Sequence, residues 1–208
     1  MKVEHLEVLV EEPSMEAALE RLLPRMTSAT FTIHPHQGKA DLLAKLEGKL
    51  RGYASWLPVT YRVLVVVDRD DQACVELKAG LRACFERAQV VEGDAARRAS
   101  GDAWHVVGRI AIEELEAWYF GDWQAVRAAY PKVPAGIPRE ERYRDPDAIR
   151  GGTWEALERI LQDAGYFKEG LRKIEAARAI AEHMEPKRNA SGSFGQLRSL
   201  LGELDRAS

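Results

Sequence analysis

The segment VLVVVDRDDQ, residues 63–72, decides the fold. Five apolar residues, Val63 to Val67, run directly into Asp68, Arg69, Asp70 and Asp71. An apolar run without polar alternation is the mark of a strand buried on both faces, as at the centre of a parallel sheet. Ending that run in carboxylates is costly unless something offsets their mutual repulsion. The end of this strand is therefore where chemistry is expected.

Working outward, residues 3–10 read as another strand, with Leu6, Val8 and Val10 on one face. It runs into Glu11, Glu12 and Pro13. Ser14 is the expected N-cap of a helix in which Ala18, Leu19, Leu22 and Leu23 recur at helical spacing. TFTIH, residues 30–34, reads as a strand, and residues 38–57 as an amphipathic helix. Residues 73–88 read as a helix, 89–91 as a short strand and 104–111 as a further strand. Strand and helix in alternation specify a doubly wound α/β sheet, mostly parallel, over residues 1–112. Residues 113–208 then read as a helical C-terminal region packed on that core. Its helices are expected at 113–120, 123–130, 153–164, 170–183 and 194–204.

Composition narrows the function classes. The chain has 208 residues, 46% hydrophobic and 30% charged, enough to bury a substantial core. No apolar run approaches the roughly 20 residues of a membrane span. The N-terminal residues lack the pattern of a secretory signal. Cys74 and Cys84 are the only cysteines and form no Cys-x-x-Cys pair. A cytoplasmic, disulfide-free protein without a membrane partner or a cysteine zinc site is expected. The net charge of −3 excludes a protein that coats nucleic acid non-specifically. Binding through a local basic face, or through cations that offset the carboxylates, remains open.

If the strands ending at Val10 and Val67 are parallel neighbours, Glu11, Asp68 and Asp70 converge at one edge of the sheet. Hard divalent cations such as Mg²⁺ take carboxylate oxygens. A metal site would thus explain the cluster. The alternative is a set of solvated acids capping the next helix, and for Asp71 alone the two readings balance. On a helix beginning at Glu113, Glu113 and Glu116 would share a face, with Glu114 pointing elsewhere. Glu114 or Glu113, with Glu116, is expected to complete a metal shell, unless these acids only complement the helix dipole.

These residues carry a resemblance. VLVEEPSMEAAL followed by VLVVVDRDD resembles the Toprim superfamily, with a glutamate after the first strand and Asp-x-Asp after the third. The usual first motif is Val-Glu-Gly-Pro-Ser/Thr-Asp-Glu. Glu11, Pro13, Ser14 and Glu16 match it; Glu12 replaces the glycine and Met15 an acid. The rest of the chain is similar to a narrower, largely uncharacterised bacterial Toprim-like family, distantly similar to the overcoming-lysogenization-defect nucleases. That similarity rests on GRIAIEELEAWYFGD, YPKVP, DPDAI and ASGSFGQLRSLL. The resemblance implies a nuclease or nickase using Mg²⁺ or Mn²⁺, with DNA favoured over RNA. Glu11 would be a ligand or general acid/base; Asp68 and Asp70 would be metal ligands. It also implies an ATPase partner in phage defence; oligomeric state is left open.

Further signals are weaker. Lys39 in HPHQGKA is a candidate phosphate contact or a solvated helix start; the segment lacks the first glycine and the Ser/Thr of a P-loop. His34 and His36 alternate on an extended segment and could chelate together. Lys187, Arg188, Ser191 and Ser193 in KRNASGSF suit an anionic ligand at a helix start, with Ser191 equally an N-cap. The aromatic residues from Trp118 to Trp123, with Trp154, are expected in the core. Two other classes stay in view: a non-catalytic Toprim-fold subunit, and a receiver-like signalling module phosphorylated on Asp68.

Overall fold

A computed structural model describes residues 2–70, 72–101 and 103–206. Four parallel strands form one sheet in the order β2-β1-β3-β4: β1 His5–Val10, β2 Thr30–Pro35, β3 Tyr61–Asp68 and β4 Val106–Ala111. The α/β class and the parallel sheet expected from the alternation are what the chain forms. The two central strands, β1 and β3, are buried on both faces, which is why each reads as an apolar run. β2, at an edge, is exposed or half-exposed along its length, and its sequence alternates accordingly.

Helices cover both faces. α2 (Lys39–Trp56) and α3 (Cys74–Arg87) pack Leu42, Leu46, Leu50, Leu81 and Phe85 against Leu9, Val63, Val65 and Val67. On the opposite face, Leu6, Val8, Val10, Leu64 and Val66 join an apolar cluster with α1 (Pro13–Leu22). That cluster continues through α5 (Leu115–Gly121), α6 (Trp123–Ala129), α7 (Thr153–Asp163), α8 (Lys173–His183) and α9 (Gly192–Arg206). The helical half of the chain thus shares one core with the sheet.

Polar contacts tie the halves together. The Arg25 guanidinium donates to the carbonyls of Met184, at 2.6 Å, and of Ala181. These close α8, where backbone acceptors lack helical partners. Asp205, in the last turn of α9, accepts from Thr27 Oγ1 at 2.9 Å and from the Ser28 N–H. Buried Asp122 takes a two-pronged contact from Arg188, at 2.7 and 2.8 Å, and a third hydrogen bond from the Glu185 N–H.

Several boundaries differ from the sequence reading. Ser14 is not the N-cap of α1: Glu12 holds that position, Pro13 starts the helix, and Ser14 Oγ donates to Glu12 Oε2. Residues 89–91 form no strand; a single bridge joins Glu92 to Val106. A short helix, α4 (Ala95–Ser100), stands where none was expected, capped by Asp94. β4 begins at Val106 rather than residue 104 because Trp104 lays its ring on Gly93, where any Cβ would collide with it. No described helix is long and apolar enough to cross a membrane.

Phe194 is fully buried and meets Trp118 edge-on, at 5.2 Å between ring centres, where α9 closes over α5. Phe194→Ala is expected to destabilise the whole chain by about 3–5 kcal/mol in equilibrium urea unfolding. Loss of α9 alone, with the sheet transition unmoved, would show that the helical half is not part of the same core.

A candidate carboxylate site at the carboxyl edge of the sheet

β1 and β3 are in register from His5 opposite Tyr61 to Val10 opposite Val66. The next residues therefore leave the sheet side by side. Glu11 turns its side chain across this gap, and its Oε1 accepts the Asp68 N–H at 2.8 Å. Glu11 is only 5% exposed. Burial raises its carboxyl to about 7, against the lowering effects of the Asp68 N–H and Lys39. Asp68 carries a more extreme version of the same problem. Its Oδ1 is buried with no hydrogen-bond partner. Burial, then the charges of Glu11, Glu116 and Asp70, push its carboxyl well above the usual range.

The third acid comes from the helical half. Glu116, in the first turn of α5, is 4% exposed. Burial raises it to about 7; Lys173 acts downward and Glu114 upward. Lys173, at the start of α8, feels Glu116, Glu12, Glu114 and Asp68, and its ammonium lies over the Trp154 ring. Tyr119 is buried one turn after Glu116, and its hydroxyl has no partner; Glu116 and Asp68 both push its ionisation upward. Tyr119 was not singled out from sequence as part of this site. Glu116–Tyr119 spacing at i, i+3 was the available signal, hidden within an aromatic run that also builds the core.

Asp70 sits at the rim. Its carboxylate is half-exposed and pairs with Lys39 Nζ at 2.6 Å, and Lys39 also donates to the Arg69 carbonyl. The candidate phosphate contact Lys39 is therefore in the carboxylate group itself. Asp70 and Glu113 both adopt left-handed backbone, φ 48° and 61°, and the Asp70 N–H donates to the Glu113 carbonyl. Arg69 pairs with the Glu113 carboxylate. Two non-glycine residues in this conformation, facing each other on adjacent loops, mark a locally constrained rim. Asp71 lies outside the described residues.

The structure corrects several sequence expectations. α5 starts at Leu115, so Glu113 does not share a helical face with Glu116. Glu114 is not free to bind a metal: its Oε2 accepts from Thr153 N–H, Thr153 Oγ1 and Trp154 N–H, satisfying the first turn of α7. Glu12, which stands where the Toprim motif has glycine, has φ −136°, a conformation any residue adopts. His34 and His36 do not converge. His34 Nε2 meets Glu7 at 2.6 Å, whereas His36 Nδ1 meets the Val10 carbonyl at 2.8 Å.

The expected anion loop is filled by the protein's own acids. Asp147 Oδ1 accepts from Ser191 Oγ at 2.7 Å, and Asp147 Oδ2 from the Ser193 N–H at 2.7 Å. Ser191 and Ser193 are buried by these contacts. Arg188 is held by Asp122. Of this set only Lys187 is exposed without a side-chain partner, so the loop serves α9 rather than an external phosphate.

Glu11, Asp68, Asp70 and Glu116 offer only hard oxygen donors, the type that suits Mg²⁺ or Mn²⁺. The partnerless Asp68 Oδ1, facing other acids, fits a missing cation better than a closed polar network. Lys39 already neutralises part of Asp70. Among the described residues, no three His, Cys, Asp or Glu side chains stand grouped as a ready metal cage. Glu11 and Asp68 are the residues that would hold a cation, with Asp70 and Glu116 at its perimeter.

The chain belongs to the family described as Domain of unknown function (DUF4276), whose model matches residues 10–204. That span includes the carboxylate rim and the C-terminal helices up to residue 204 in α9. Neither a curated protein nor a solved structure matches the chain.

The raised carboxyls have a thermodynamic consequence. Folding holds the Glu116 proton more tightly, moving its titration from 4.5 to about 7. Its contribution to stability is complete below about pH 4.5 and is lost as pH rises through about 7. Glu11 acts in the same direction. In metal-free buffer, Glu116→Gln should therefore gain stability relative to the parent between pH 5 and 8. Melting temperatures of both proteins across that range measure it. A difference independent of pH would place the Glu116 carboxyl in an ordinary, solvated environment.

Proposed function

We propose that this member of the family is a Toprim-like nuclease or nickase that cleaves nucleic acid phosphodiesters, DNA before RNA, with Mg²⁺ or Mn²⁺. The observation that carries the reading is the Glu11–Asp68 contact across the ends of two central strands, with the Asp68 Oδ1 buried and unpartnered. The resemblance of the two acidic motifs to Toprim enzymes supports it. A receiver-like role gains no support from the cluster of acids around Asp68, since a phospho-acceptor stands without a second aspartate two residues on.

A divalent ion bound here would supply Lewis acidity at a phosphoryl oxygen and positive charge against the transition state. Glu11 would either hold that ion or exchange a proton at its carboxyl. As the carboxylate it takes a proton from an attacking water; as the acid it returns one to the departing oxygen. The balanced reaction consumes one water, breaks one P–O bond and leaves a phosphomonoester and a hydroxyl. Lys39, which pairs with Asp70 at the rim, would meet a non-bridging phosphate oxygen. Lys173 offsets the charge of Glu116 and Asp68 behind it. Tyr119 offers an uncommitted hydroxyl within the same enclosure. An ATPase partner and a part in phage defence rest on the family resemblance, and no feature of this site bears on them.

The test is cleavage of supercoiled plasmid, linear DNA and RNA with Mn²⁺ or Mg²⁺. Glu11→Gln and Asp68→Asn should each lower the rate by about 10²- to 10⁴-fold while melting remains cooperative. Cleavage that survives both substitutions would overturn the assignment of the site. Metal binding by the parent, lost in Asp68→Asn but without cleavage of any substrate, would identify a non-catalytic subunit instead.

A further inference from the structure

A second cavity lies along the free edge of β4, with its lining reaching Ile112 just past the end of the strand. Val91 and Gly93 pair with Val106 and cover only the first part of this edge strand. Beyond them, Gly108, Arg109 and Ile110 line a cavity of about 470 Å³. That volume is within the range of small-molecule sites. α3 supplies one wall through Cys74, Lys78, Leu81, Arg82 and Phe85, which share a helical face. Leu81 and Phe85 are buried and make that wall partly apolar. The start of α9 and the turn into α4 close the remainder.

The charges here are unequal. Arg82 pairs with Glu92 at 3.0 Å, and Arg98 with Glu203 at 2.8 Å. Asp94 is engaged in capping α4, and Asp147 in holding Ser191 and Ser193. Among the described residues, Lys78 and Arg109 have no carboxylate partner. Arg109 is the more telling. Its Nε is buried with no hydrogen-bond partner, and one terminal nitrogen reaches only the carbonyl of neighbouring Gly108, at 2.9 Å. Burial, then Arg98, lowers this guanidinium to about 10, against the smaller upward effects of Glu203 and Glu92, which are paired with Arg98 and Arg82. A largely buried guanidinium with an empty donor is unfavourable unless an acceptor completes it. Its planar fork matches a carboxylate or phosphate.

We propose that this cavity binds a small organic oxyanion, a phosphomonoester or carboxylate with an apolar body. Arg109 and Lys78 engage the charged group, and Leu81, Phe85 and Ile110 contact the body. The two basic groups come from different elements, Lys78 from α3 and Arg109 from β4. An extended acidic peptide is the less suited occupant, because the free part of the edge is only Gly108 to Ile110. This site is independent of the metal reading of the rim.

Calorimetric titration in EDTA tests the proposal with phenyl phosphate, benzoate, a nucleoside monophosphate and inorganic phosphate, with phenol as the uncharged control. At least one of the three organic oxyanions is expected to bind more tightly than inorganic phosphate and phenol. The preferred headgroup distinguishes the phosphate from the carboxylate source. Arg109→Gln and the exposed-site change Lys78→Gln should each weaken binding, Arg109→Gln by on the order of tenfold or more. Glu11→Gln should leave it unchanged. Lys78→Gln keeps the test decisive should Arg109→Gln fail to fold. Absence of binding by every oxyanion at millimolar concentration, binding insensitive to both basic substitutions, or equal loss in Glu11→Gln would each overturn the proposal.

Discussion

The hydrogen bond from the Asp68 N–H to Glu11 Oε1 fixes the geometry on which the rest of the site depends. It is a bond between two loops that leave the sheet together. They leave together because β1 and β3 are adjacent, parallel and in register to Val10 and Val66. Both strands are packed between helices, so neither end can drift without exposing valines and leucines. The apolar core thereby holds acids closer than their charges would choose. Burial first, and neighbouring carboxylates second, raise the carboxyls of Glu11, Asp68 and Glu116.

Enclosure requires both halves of the chain. The sheet supplies Glu11 and Asp68, but α5 brings Glu116 and Tyr119, and α8 brings Lys173. The helices that carry them belong to the same apolar cluster as the sheet face. Their termini are fixed by local acids and bases: Glu114 on α7, Asp147 on α9, and Arg25 on the end of α8. Many charged residues in the second half are thus spent on helix ends, where backbone groups would otherwise lack partners. Some buried polar atoms, several arginine Nε atoms among them, stay without partners. Asp68 Oδ1 and the Tyr119 hydroxyl mark the rim, and Arg109 Nε marks the cleft beside β4.

How much could be read from sequence follows the range of the interactions. Val63 to Val67 and the run ending at Val10 announce buried parallel strands because burial on two faces is written locally, residue by residue. Their following acids converge once the strands are neighbours, so Glu11, Asp68 and Asp70 were legible. Glu113 misled because its left-handed backbone depends on a partner loop: its carbonyl accepts from Asp70 and its carboxylate pairs with Arg69. Ser191 and Ser193 misled because the anion at their helix start is Asp147, more than forty residues earlier in the chain. A helix N-terminus signals an acceptor equally well whether that acceptor is internal or external. Trp104 failed to join β4 because it packs on Gly93, a contact that no strand propensity encodes.

The net charge of −3 conceals two sites of opposite sign. β4 touches both. Ala111 stands opposite Asp68, and its carbonyl accepts the Arg69 N–H at the acidic rim, while Arg109, two residues earlier, faces the basic cleft. Solvent would screen such charges over about 8–10 Å at moderate salt. Burial weakens that screening, so the local fields are set by the few neighbours inside each enclosure rather than by the overall sum. An acidic protein can therefore hold a group of buried carboxylates at one end of β4 and a half-buried guanidinium within the strand. What separates them is position along β4: Arg109 lies within the strand, and the acidic rim begins where its end leaves the sheet.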